Sequence, residues 1–159
     1  TAASDTSGGD ANATAAAIKV SAEADFSSSV NKTKMEFQTG ASEAATTKLS
    51  LLNDGRGLSP FTARAWARIN QTGTLQSPSN HNVSSLTDNG TGDSTVTFTN
   101  AIGSVEYCVV TGNAAEDDWG ERVNPTTTAS ASVRLQNVQE DGTFIDSSRV
   151  HCVVFYTGV

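Results

Sequence analysis

The sequence predicts an all-β protein, and three observations carry that reading. Apolar residues recur with a period of two: Val96 and Phe98 alternate with threonines, and Ala131, Val133 and Leu135 alternate with Ser132, Arg134 and Gln136. Between such runs stand residues that tolerate positive φ or bond to their own backbone, as in Asp88-Asn89-Gly90-Thr91-Gly92-Asp93. Ser and Thr together number 40 of 159 residues, which with abundant Val and little Leu or Lys favours strands over helices.

Taken in order, residues 1–17 form a linker or anchor segment of Ala, Ser, Thr, Gly and Asp without a large apolar side chain. Residues 18–60 hold short strands: Ile18 and Val20 around Lys19, Met35 and Phe37 around Glu36, and Lys48-Leu49-Ser50-Leu51. Each has an apolar face, yet the segment has too few apolar residues to close a core of its own. A neighbouring copy around a three-fold axis would cover those faces. Pro60-Phe61 marks the boundary to a second domain, residues 61–159.

In that second domain six strands are expected, near Ala63–Asn70, Asn82–Leu86, Ser94–Thr99, Ser104–Gly112, Thr128–Asn137 and Arg149–Gly158. The regular spacing predicts an antiparallel β-sandwich. The last strand is apolar on both faces and should be central. The longer connections are Gln71 to His81, Asn113 to Thr127 and the Gln139–Thr143 turn, and loops on a rigid β scaffold are where recognition usually sits.

Composition bounds the function. Hydrophobic residues are 36 % of the chain, a modest supply of core that subunit association would supplement. The net charge of −7 and the lack of a basic run argue against a nucleic-acid partner. No apolar run approaches the length of a membrane span, so no membrane insertion is expected. Two Cys and two His give no metal-ligand spacing, and no cofactor is expected. Glu116, Asp117 and Asp118 are adjacent on one loop, without the defined separation of a hydrolytic pair, and Asn89-Gly90-Thr91-Gly92 lacks the lysine of a phosphate loop. The chain is therefore expected not to be an enzyme. The five Asn-x-Ser/Thr sequons, at Asn12, Asn31, Asn70, Asn82 and Asn89, follow from the Ser/Thr content.

Arg64-Ala65-Trp66-Ala67-Arg68-Ile69-Asn70, followed about a dozen residues later by the run Asn82 to Phe98, resembles the C-terminal domains of bacteriophage tail-fibre proteins. The likeness covers roughly Arg64 to Val159. Lys32–Gly40 and Lys48–Gly55 are similar to the shaft strands of such fibres, in which three chains wind together around a shared axial core. The resemblance implies a homotrimer with an N-terminal intertwined β-shaft and a β-sandwich tip. It implies a structural, adhesive virion component in the tail fibre, assembled in the host cytoplasm. Its partners would be other virion proteins through the N-terminal segment, and a bacterial surface polysaccharide or protein at the tip. The missing initiator Met fits a piece of a longer fibre. Three alternatives accompany it: a collar, head or baseplate fibre with an assembly role, a polysaccharide-degrading tail-spike tip, and a monomeric sugar-binding module.

Within this frame, Met35, Phe37, Leu51 and Trp66 are candidates for the trimer interface, with Trp66 sharing a strand face with Arg64 and Arg68 and expected in a cation–π sandwich with them at that interface. Trp119, Asp117, Asp118 and Arg122 are candidates for receptor binding. An exposed indole can stack on the apolar face of a sugar while carboxylates bond its hydroxyls, although the commoner role for such a Trp119 is to fold back as the anchor of its own loop. His81 is expected as a hydrogen-bonded loop residue, or as an ion ligand on the three-fold axis. Cys108 and Cys152 stand in similar strand contexts: a cross-strand disulfide is open if the strands are neighbours, and two reduced, buried side chains are what a cytoplasmic assembly implies.

Overall fold

A computed structural model describes residues 14–41, 43–114 and 122–158. Among them there are twelve strands and no helix, arranged as three four-stranded antiparallel sheets. The chain divides into two compact units, the first reaching Thr62 and the second spanning Ala63–Tyr156.

The first unit is a meander of β1 (Ala16–Ala22), β2 (Thr33–Thr39), β3 (Thr46–Leu51) and β4 (Gly57–Leu58), hydrogen-bonded in sequence order. The expected Asn53–Gly57 break is a tight β3–β4 turn. There the Gly55 amide donates to the Leu52 carbonyl, and the Asp54 carboxylate accepts from the Arg56 amide and side chain. Register aligns the apolar residues into two rows, Ile18–Phe37–Leu49 and Val20–Met35–Leu51. The opposite face is polar: Lys19 pairs with Glu36, which pairs with Ser50. Glu36 is buried between Lys34 at 3.0 Å and Lys19 at 3.7 Å. The hydrogen bond from Lys34 holds its carboxyl below the ordinary value.

The second unit is sandwich-like. One sheet has the order β10-β11-β8-β7, from β10 (Arg122–Ala129), β11 (Ser132–Val138), β8 (Asp93–Phe98) and β7 (Val83–Gly90). The other has the order β6-β5-β12-β9, from β6 (Gln76–His81), β5 (Ala63–Asn70), β12 (Val150–Phe155) and β9 (Cys108–Asn113). As its two apolar faces require, β12 is central, between β5 and β9. Ile69, Val150 and Val154 from this sheet share one core with Val96, Val133 and Leu135 from the other, all fully buried. Each such side chain contributes about 1.5–3 kcal/mol. Every buried hydrophobic side chain among the described residues lies between Ala65 and Val154, so the first unit has none.

Two stretches expected as loops are strands. Gln76–His81 is β6, and the Asn113–Thr127 connection ends in β10 from Arg122 onward. Both are polar edge strands carrying a proline, Pro78 and Pro125, and both have an irregular register at or beside that proline. A proline is tolerated there because an edge strand leaves half of its N–H groups unpaired. The strand expected at Thr128–Asn137 is in fact the β10–β11 hairpin, turning at Ser130-Ala131. The strand expected from Ser104 starts only at Cys108, and Val105 is exposed. Tyr107 beside it points inward, edge-to-face on Phe98. Its hydroxyl donates to the Ser132 carbonyl at 2.7 Å, with the Ala129 carbonyl 3.1 Å away. Burial pushes that phenol up to about 12.

Polar residues close the second unit. Asn137 is fully buried and accepts from the Asn113 amide at 3.0 Å, while the Ser147 hydroxyl donates to Asn113 at 2.7 Å. Gln71 joins Ser94 to the Ser147 amide. Elsewhere Asn82, at φ 57°, is the single residue between β6 of one sheet and β7 of the other. Its side-chain amide donates to the Arg64 and Asn100 carbonyls, both at 3.0 Å, and its carbonyl accepts from the Asn100 amide at 2.8 Å.

Candidate interaction surfaces

Of the receptor-binding candidates, Asp117, Asp118 and Trp119 lie outside the described residues. Arg122 opens β10, exposed and paired in register with Val138. The strands flanking this connection are pinned on both sides. The Ala114 amide donates to the Arg149 carbonyl, and the Thr111 hydroxyl donates to the Val123 carbonyl at 2.7 Å, which ties β9 of one sheet to β10 of the other.

Three of the four interface candidates fall on one sheet face. Met35, Phe37 and Leu51 line the apolar side of the first unit with Ile18, Val20 and Leu49. Ile18 is 68 % exposed, Val20 61 % and Leu51 44 %, values typical of a surface strand and far from a core. Their alternation around Lys19 and Ser50 was visible in the sequence. That three strands bring them into two rows depends on register.

Trp66 belongs to the second unit, on the outer face of the β6-β5-β12-β9 sheet. The expected sandwich of its indole by Arg64 and Arg68 is not formed. The register shifts between Ala63 and Ala65, Arg64 is buried, and its guanidinium lies over Tyr156 at 5.9 Å. Trp66 instead stacks on His81, with ring centroids 6.5 Å apart and planes inclined by 23°. His81 is thus the last residue of β6 and no loop residue. Register continues the row across the sheet, His81–Trp66–Val153–Val110, and sets Ser79–Arg68–His151–Gly112 beside it. Val110 and Val153 were missed as surface residues because β9 and β12 are apolar at successive positions, and the sequence does not say which side faces out.

Cys108 and Cys152 are on neighbouring strands but are not bonded. Cys108 pairs with Phe155 and Cys152 with Thr111, so the two are three residues out of register and on opposite faces. Cys152 is buried, and burial pushes its thiol up to about 11. Cys108 is exposed, contrary to the expectation of two buried side chains.

On the outer face of the other sheet, Asp93 is held by Nε and Nη2 of Arg134, at 2.8 and 2.5 Å, and by Gln136 at 2.9 Å and Asn89 at 3.1 Å. The Arg134 bonds hold its carboxyl at about 2 against the opposing effect of burial. This acid has all its acceptor sites engaged, which suits a structural clamp.

Among the described residues, no three His, Cys, Asp or Glu side chains are placed to hold a metal ion. The described fold thus defines an all-β protein whose most prominent exposed features are two sheet faces. Comparison with protein-family models, with curated proteins and with solved structures finds no match.

Proposed function

We propose that this chain is the C-terminal part of a bacteriophage tail fibre, a homotrimeric structural and adhesive component of the virion. The observation that carries this reading is the first unit's sheet. It has an apolar face of six side chains, no buried hydrophobic residue, and a polar reverse side. A small sheet without a covering layer is marginal in water. Three copies turning the face toward a common axis would supply that layer, as in the shaft strands it resembles.

In this reading the second unit is the sandwich tip, and the Trp119, Asp117, Asp118 and Arg122 connection meets a polysaccharide or protein of the bacterial surface. The N-terminal segment joins other virion proteins. Weak single sites become effective because several act together.

The test is the solution mass by light scattering. The expected value is about three times the chain's 16.5 kDa. A mass of one chain at micromolar concentration would overturn the trimer and shift weight to an isolated sugar-binding module.

A further inference from the structure

The outer face of the β6-β5-β12-β9 sheet has a charge character opposite to that of the chain. The protein carries seventeen Asp and Glu against ten Lys and Arg, yet none of these four strands contains an acidic residue. Their basic side chains are Arg64, Arg68, His81 and His151. Arg64 is buried over Tyr156, which leaves Arg68 and His151 adjacent in one row and His81 under the Trp66 ring. Glu106 precedes β9, and Glu116, Asp117, Asp118 and Glu121 follow it in the sequence, outside the described residues.

The two rows divide the labour of recognition. One is flat and apolar: Trp66, 38 % exposed, is followed by Val153 and by Val110, 53 % exposed. The other sets the Arg68 guanidinium beside the His151 imidazole and ends at Gly112. Among the described residues, a Cβ at Gly112 would meet nothing within 4 Å. An indole ring beside a guanidinium suits a ligand with an apolar ring face and an anionic group at its edge.

We propose that this face binds a polysaccharide of uronic-acid type, a sugar ring stacking on Trp66 with its carboxylate toward Arg68 and His151. The proposal rests on the adhesive reading above, and adds Trp66, Arg68 and His151 to the candidate receptor contacts. A second copy of the chain is the other occupant such a face would take, since it carries net negative charge and exposes Phe26, Phe61 and Phe144; shifts that depend on protein concentration without ligand identify it.

The test uses the isotope-labelled full chain titrated with oligogalacturonate, neutral dextran oligomers and polyphosphate, followed by NMR. Oligogalacturonate should shift the Trp66 indole, Gly112 and His151 signals, with no matching shifts from dextran. Trp66→Ala and Arg68→Gln should each weaken binding about tenfold at unchanged melting temperature, and Arg68→Lys should weaken it less. The proposal is overturned by any of four results. These are absent or elsewhere-located shifts, equal response to dextran or polyphosphate, unaltered binding in folded variants, and concentration-dependent shifts of the same signals without ligand, which would make the face a contact between copies. A trimer without these shifts removes this inference alone, and a monomer that shows them removes the trimeric-fibre reading alone.

Discussion

The main chains of Gly92 and Asn137 meet so closely that no side chain fits at position 92. The Asn137 amide donates to the Gly92 carbonyl at 2.7 Å. A Cβ on Gly92 would lie 2.6 Å from the Asn137 carbonyl oxygen and 2.7 Å from the Ile145 nitrogen. Gly92 also has φ +66°, and its own amide donates to the Asp146 carboxylate at 2.6 Å. Gly92→Ala therefore combines left-handed strain with a backbone clash and should lower stability by about 2–4 kcal/mol. Urea unfolding measures it, and a loss below about 0.5 kcal/mol would show that this contact is not made.

Asn82 separates two effects at one residue. Asn82→Gly keeps the positive φ and loses the bonds to Arg64 and Asn100, at about 1 kcal/mol each. Asn82→Ala loses the bonds and adds about 1 kcal/mol of backbone strain. The expected order of melting temperature is wild type, then Gly, then Ala. If Asn82→Gly melts with wild type, the side-chain bonds contribute nothing.

Acid should release the Asp93 clamp. The folded carboxyl is near 2 and the ordinary value is 3.8, so the contribution is complete above about pH 4 and is lost as pH falls through 2. With the Arg134 side chain 43 % exposed, its size is on the order of 1 kcal/mol. Asp93→Asn should flatten the stability profile between pH 4 and 2. An Asp93→Asn profile parallel to wild type in that window would show that another group carries the dependence.

The thiols should differ in access. Iodoacetamide at pH 8 is expected to label Cys108 alone in the native chain, because Cys152 is 2 % exposed and its thiol is pushed up to about 11. In urea without reductant both should react. Mass spectrometry counts the labels: none in urea would mean a disulfide, and two at equal rates in the native state would mean that Cys152 is not buried.

Association should depend on the apolar face of the first unit. Phe37 is 37 % exposed, so Phe37→Asp costs a single chain little while placing a charge in the proposed axis. Light scattering is expected to show the mass of one chain. A trimer that persists in this variant would place the interface elsewhere.

Period-two alternation placed β5 at Ala63–Asn70 and located the cores of β1, β2, β3 and β8, because burial on one face imposes that pattern locally; a run apolar on both faces located β12, and the Asn53–Gly57 turn residues marked the β3–β4 turn. It failed at β6 and β10. Those polar edge strands are paired on one side only, so neither needs an apolar stripe, and their prolines read as breakers. The candidate sites divide the same way. The apolar character of Met35, Phe37 and Leu51 was local, but their assembly into rows with Ile18, Val20 and Leu49 needed strand register.

By itself the sequence determined the all-β class, the apolar side of most strands and the poverty of core before Ala63, since these follow from composition and side-chain parity. Only the tertiary structure decided what pairs across strands. The register shift at Ala63–Ala65 takes Arg64 from Trp66 to Tyr156, the three-residue offset between β9 and β12 keeps the cysteines apart, and the ladder sets Trp66 and Arg68 beside His81, His151 and Val110. Register is a property of two strands at once, fixed by long-range hydrogen bonds and shared burial, and no single segment encodes it.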